Sequence, residues 1–149
     1  MKIYIACDHR GVEIKKFLKE KLQKEYEIIE SNLPNNANDD YPDFAFDICN
    51  LMNKNEDKAI LICGTGIGIS IAANKVKGIR CGRVLNVVDA KLAREHNDCN
   101  AIALSASLTN DQALEIVKAF LQTNTSNLEK HQRRVKKIIS YEEGTYNGL

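Results

Sequence analysis

The stretch ILICGTGIGIS, from Ile60 to Ser70, ends a short apolar run in a thiol and follows it with three glycines at alternate positions. Gly64, Gly66 and Gly68 let the backbone turn tightly and aim successive N–H groups at one point. The helical pattern that follows adds the positive end of its dipole. Such a loop binds a phosphate, a carboxylate or an oxyanion formed during reaction; the plainer alternative is a tight strand-to-helix turn. Cys63 stands immediately before it. Amide dipoles and a helix N-terminus lower a thiol pKa, so Cys63 can attack an electrophile or take a proton from carbon. Abstraction next to a carbonyl creates an enediolate oxygen, which the amides of Gly64–Gly68 can stabilise. Base and oxyanion cradle are then contiguous in the chain.

Named nucleotide loops do not fit. A P-loop needs Gly-Lys-Ser/Thr, and Ile67-Gly68-Ile69-Ser70 has no lysine. The dinucleotide fingerprint needs glycine where Ile69 stands. A C-x5-R phosphatase loop needs an arginine that is absent there. Two further pairs can contribute. Asp8-His9 closes the first apolar run, either as a helix cap or as a substrate-binding acid and imidazole. His96-Asn97 lies where a helix ends, so His96 either complements the helix dipole or serves as an acid/base near neutral pH. Lys130, Arg133, Arg134 and Lys137 follow i, i+3, i+4, i+7 spacing, which makes a solvated charged face or a phosphate-reaching one.

These groups need a scaffold. Brief apolar runs at Ile3–Ala6, Glu27–Glu30, Ala59–Cys63, Ile79–Leu85 and Ala101–Ser105 read as strands covered on both faces. Ile14, Phe17, Leu18, Lys21 and Leu22 share a helical face between the first two. Pro42 opens a second helix burying Phe44, Ile48, Leu51 and Met52. A third runs from the glycine loop to about Val76, and a fourth covers Asp89–His96. Thr109 and Gln112 stand at capping-box spacing for a fifth. A basic helix at about 127–140 closes the chain, with Leu128, Val135, Ile138 and Ile139 on its apolar side. The expectation is one α/β domain over 1–149: a Rossmann-like three-layer sandwich with a five-stranded parallel sheet and helices on both faces. Its ligand edge gathers the turns after the first and third strands and the loops after the fourth and fifth. Residues 32–43 read as a long polar surface loop.

A net charge of +1 provides no global field for nucleic acid or membrane, and no apolar run can span a bilayer. The N-terminus shows no cleavable signal pattern, so the expected location is cytoplasmic. The five cysteines, Cys7, Cys49, Cys63, Cys81 and Cys99, form no C-x-x-C pair, which argues against a disulfide framework or zinc ribbon.

Together, CDHRG (7–11), CGTGIGISIAANKVKGIR (63–80), REHNDCNAIAL (94–104) and HQRRVKKI (131–138) resemble the type B ribose-5-phosphate isomerases and their galactose-6-phosphate isomerase relatives, in order and over nearly the whole chain. The resemblance implies interconversion of ribose 5-phosphate and ribulose 5-phosphate through an enediolate, in the non-oxidative pentose phosphate pathway. It implies no metal and no organic cofactor, and homodimers or homotetramers with active sites between subunits. By the same resemblance Cys63 is the proton-transferring base, His96 opens the sugar ring and Thr65 assists near the ring oxygen. Gly64, Gly66, Ile67 and Gly68 belong to the loop that holds the enediolate oxygen. Asp8, His9 and Asn97 bind sugar hydroxyls or the phosphate end, and Lys130 and Arg134 hold phosphate. The chain departs from the family pattern at two phosphate arginines, where it has Ser107 and Lys130. A hydroxyl and a point charge replace two bidentate forks. Other readings are a hexose-6-phosphate isomerase, a phosphocysteine carrier, whose cysteine loop would follow the first strand instead, and a non-catalytic anion-binding module.

Overall fold

The computed structural model describes residues 1–148; residue 149 lies outside the described residues. Five strands, β1 (Lys2–Cys7), β2 (Glu27–Glu30), β3 (Lys58–Cys63), β4 (Cys81–Arg83) and β5 (Ala101–Ser105), form one parallel sheet in the order β2-β1-β3-β5-β4. Six α-helices accompany them: α1 (Val12–Leu22), α2 (Tyr41–Leu51), α3 (Ile67–Ala73), α4 (Val87–Asn97), α5 (Asn110–Gln122) and α6 (Glu129–Glu142). Parallel pairing forces each connection to cross a face of the sheet, so both faces are covered and the central strands are apolar throughout. Ile3, Ile5, Ile60, Ile62, Ile102 and Leu104 pack against α1, α4 and α5. Tyr4, Ala6, Leu61, Cys63, Ala101 and Ala103 face α2 and α3. Helix α6 lies outside this sandwich, against α4.

The chain leaves β1 toward β2 on one side, and β3 lies on the other. The crevice between the ends of β1 and β3 is therefore the point where strand order reverses, the usual ligand position in such sheets. Cys7 is level with Ile62, and Cys63 with Ser105. Thr109 and Gln112 form the expected capping box.

Several expectations are corrected. The fourth strand is only Cys81–Arg83, an edge strand whose open side Asn74 covers by bonding the Cys81 amide and carbonyl. Helix α3 ends at Ala73, α4 starts two residues early at Val87, and α6 is Glu129–Glu142. Leu51 is exposed rather than buried, since α2 turns only a narrow stripe to the protein, and Leu128 and Ile138 on the apolar side of α6 are exposed as well.

Candidate active site

Strand β3 delivers Cys63 to the crevice, where it is 3% exposed and its sulfur accepts a hydrogen bond from the Gly66 N–H at 3.2 Å. Gly66 lies in the left-handed region at φ 75°, and a Cβ there would stand 3.0 Å from the Leu104 carbonyl carbon. Gly68 is crowded, since a Cβ would meet the outer end of the Tyr41 ring at 2.4 Å and displace it. Gly64 is neither crowded nor left-handed: the nearest atom to a Cβ would be Arg10 Cγ, 4.0 Å away. Its missing side chain leaves open space beside the thiol. The Ser105 hydroxyl donates to the Gly64 carbonyl at 2.8 Å and lies 2.7 Å from the Ser107 hydroxyl. Thr65 is exposed; its hydroxyl accepts from the Ile67 N–H, and its carbonyl accepts from Arg83 Nε at 2.8 Å. The exposed side chain of Ile67 forms the outer lip.

Asp8 and His9 join the same edge, because the Asp8 N–H donates to the Ile62 carbonyl at 3.1 Å. One Asp8 oxygen accepts from the Arg10 N–H and so caps the 3-10 turn His9–Gly11. The capping reading of Asp8 therefore holds, and its other oxygen is left over. His9 is exposed, and its Nδ1 lies 2.7 Å from Asp39 Oδ1. Asp8, His9 and Asp39 bring ligand-type atoms within 4.8 Å of one another. Asp39 spends both oxygens on internal hydrogen bonds, however, and His9 spends Nδ1. Two donors remain, fewer than the three protein ligands of a usual catalytic metal site.

The other thiols are packing residues. Burial pushes Cys7 and Cys49 up to about 12 and Cys99 up to about 11, and holds Cys81 well above the ordinary thiol value. All four stay protonated at neutral pH.

A second cluster lies elsewhere. Helix α4 runs back from the ligand edge, so His96 and Asn97 end where β5 begins. Arg80 and Arg94 both bind the Asp98 carboxylate there, and the Asn100 side chain ties Arg80, Lys54 and Gly78 together. Ala101, the first residue of β5, is level with Ala59, so four rises of ~3.3 Å put this end about 13 Å from Cys63 along the strands. His96 stacks on His131 with ring centroids 4.1 Å apart. His131 is buried and its Nδ1 has no partner among the described residues. Burial lowers its pKa, as do His96, Lys130 and Arg134, while Glu95 opposes them. Lys130 and Arg134 are exposed and have no carboxylate partner among the described residues, whereas Arg133 pairs with Glu129. Within one chain, then, Cys63, Thr65, Gly64–Gly68, Asp8 and His9 converge, while His96, Asn97, Lys130 and Arg134 stand at the far edge. Sequence reasoning missed Asp39, which sits in the polar loop, and His131, whose signal was its place four residues before the buried Val135.

The Ribose/Galactose Isomerase family profile matches residues 3–138. A Mycoplasma genitalium protein named probable ribose-5-phosphate isomerase B is 45% identical over 149 residues, covering 96% of this chain and 97% of that protein. Ribose-5-phosphate isomerase B of Mycobacterium tuberculosis is 40% identical over 148 residues, covering 95% of this chain and 90% of that protein. The crystal structure of the Mycoplasma genitalium enzyme with bound ribulose-5-phosphate has a TM-score of 0.88 at 43% identity, covering 95% of this chain and 96% of that one. With the sheet order, the cysteine-glycine loop and these relationships in agreement, the chain belongs to the ribose/galactose isomerase family.

Proposed function

We propose that this protein is an aldose–ketose isomerase that interconverts ribose 5-phosphate and ribulose 5-phosphate through an enediolate. The observation that carries it is the Cys63 sulfur, held by the Gly66 N–H inside an amide-lined cradle with open space beside Gly64. Two relatives are named for this activity, and one was solved with the ketose phosphate bound. In the reaction His96 takes the proton of the anomeric hydroxyl as the ring opens, and Thr65 assists at the ring oxygen. The Cys63 thiolate removes the proton on C2. The electron pair moves onto the carbonyl oxygen, where the amides of Gly64–Gly68 stabilise it. Return of the proton to C1 and transfer of the hydroxyl proton from O2 yield the ketose. Asp8, His9 and Asn97 hold hydroxyls, and Lys130 and Arg134 hold the phosphate.

His96 and Cys63, at opposite ends of the strands and about 13 Å apart along them alone, cannot both reach the first two carbons of one sugar. The working enzyme is therefore a homodimer or homotetramer in which one subunit supplies Cys63 and another supplies His96. Residues 1–149 act as a single catalytic domain, and five free thiols suit the reducing cytoplasm. A six-carbon phosphate is the second reading. The short Ser107 side chain, tied to Ser105, leaves room where the family pattern has an arginine.

The test is turnover of ribose 5-phosphate beside galactose 6-phosphate and allose 6-phosphate by wild type and Cys63→Ala. The expected outcome is pentose turnover that falls ~10²–10⁴-fold or more in the variant, with the fold intact. Near-normal activity of Cys63→Ala would sink the mechanism. Preference for a hexose phosphate would select the second reading.

A further inference from the structure

The geometry points to Asp39 as a positioning residue that holds the His9 imidazole in its Nδ1–H tautomer, with Nε2 turned toward the bound sugar. This rests on the isomerase reading for what His9 touches, but not for how Asp39 holds it. One carboxylate oxygen, Oδ1, lies 2.7 Å from His9 Nδ1 and accepts from the His9 backbone N–H at 3.1 Å. Both ends of the same residue are thereby tied to one atom, so the direction of the ring is set. The other oxygen accepts from Asn35 Nδ2 at 3.0 Å and from the Asn36 N–H at 3.2 Å. Asn35 in turn donates to the Cys7 carbonyl at 2.8 Å, which anchors this part of the loop to the end of β1. The carboxylate therefore has nowhere to rotate.

Exposure separates the roles. The Asp39 side chain is 4% exposed and that of His9 is 38% exposed, so the acid is the inner member of the pair and the imidazole the outer one. Burial works against the Asp39 charge, but the hydrogen bonds from Asn35, His9 and Asn36 outweigh it and hold the carboxyl below its ordinary pKa. A carboxylate without a proton can only accept. The ring nitrogen facing it must therefore carry hydrogen, whether the imidazole is neutral or charged. Nε2 is left as the working atom: an acceptor for a sugar hydroxyl when the ring is neutral, a donor to an anion when it is protonated. An orienting acid behind an imidazole fixes tautomer and direction without itself exchanging a proton. The chain lacks two arginines expected by the family pattern, so correct aim of the remaining polar groups carries more of the binding.

Asp39 belongs to a polar stretch, NLPNNANDDYPD, that offers three Asp and four Asn. Only the fold distinguishes the one acid that reaches beneath His9. The experiment has two arms. Long-range proton–nitrogen NMR on 15N-histidine protein, without substrate, reads the His9 tautomer. The expected pattern is Nδ1–H in wild type, with the Nε2–H share rising in Asp39→Asn, because the new amide can donate to Nδ1. An Nε2–H pattern in wild type overturns the proposal whatever the enzyme acts on, and this arm also decides the matter if Asp39→Asn fails to fold. The second arm is a double-mutant cycle on isomerase turnover. Asp39→Asn should lower kcat/KM by ~10-fold or more in the wild-type background and by almost nothing in the His9→Gln background. Equal losses in both backgrounds would mean that Asp39 merely supports the loop, and overturn the positioning role. Absence of wild-type turnover on any sugar phosphate would instead defeat the isomerase reading and leave the NMR result standing.

Discussion

Gly64, Gly66 and Gly68 look alike in the sequence, yet different forces hold each one. Backbone conformation demands Gly66, the Tyr41 ring crowds Gly68, and nothing among the described residues demands Gly64. The Gly64 position therefore reports on ligand rather than on folding. Gly64→Ala keeps its N–H but puts a methyl into the ligand space, so it should leave the thermal midpoint within about 1 °C of wild type and lower kcat/KM by ~10²-fold, the scale of a ligand displaced by about 1 Å. Melting curves and steady-state kinetics check both halves. A large loss of stability with activity spared would reverse the assignment. Gly68→Ala is the control: its Cβ would overlap Tyr41, which costs roughly 1–3 kcal/mol of stability unless the exposed Tyr41 ring swings away. The same separation applies to the thiols, where four are protonated core residues and Cys63 alone lies against the glycine-loop amides.

Helices α4 and α6 meet through the stacked pair His96 and His131. His131 is buried without a partner for Nδ1 among the described residues and faces Lys130, Arg134, Glu95 and His96, so its folded pKa falls below the ordinary value of about 6.5. The sign follows from linkage: the unfolded chain takes up the proton first as pH drops. Stability is fully present above about 6.5 and is lost as pH falls from there to the lowered folded value. Removing the imidazole in His131→Gln should flatten the fall in thermal midpoint between about pH 7 and pH 5. Melts of both proteins across that range measure it, and superimposable slopes would mean that the proton is accommodated without cost. The polar loop between β2 and α2 teaches a related lesson. It reads as surface, and by composition it is, but its Asn35 and Asp39 turn inward beneath the β1 turn.

Across the molecule, the two clusters sit at opposite edges of one sheet, and the short edge strand β4 is flanked by exposed apolar side chains. Ile67 and Ile71 on α3 are 48% and 57% exposed, Val88 on α4 is 63% exposed, and Ile138 on α6 is 51% exposed. A groove of about 750 Å³ runs beside them, lined in part by Leu92, Ile138 and Tyr141. The proposed contact between subunits has apolar side chains to use here. Val88→Asp together with Ile71→Asp should yield a monomer by sedimentation with turnover reduced ~10²-fold or more. A fully active monomer would place all the chemistry within one chain. Mixing offers a sharper measurement. Cys63→Ala and His96→Ala are each expected to be inactive, yet co-refolded they give mixed dimers with one intact site, and a symmetric statistical mixture recovers about a quarter of wild-type activity. No recovery despite mixed dimers would refute the shared site.

The alternation of apolar runs with helical faces, the capping box at Thr109 and the CGTGIG loop were legible because each depends on neighbours a few residues apart. From them follow the parallel sheet, the ligand edge at β1 and β3, and a thiol beside amides. Strand β4 was over-read: it lies at the open edge of the sheet, and only Cys81–Arg83 pair in register with β5. Asp39 and His131 were not legible, since being inner partner or orphan depends on which distant segment packs above, and composition does not encode that contact. Nor did local pattern show that His96 lies a strand's length from Cys63. That distance follows from the direction in which α4 returns across the sheet, and it makes a second copy of the chain part of the proposed site.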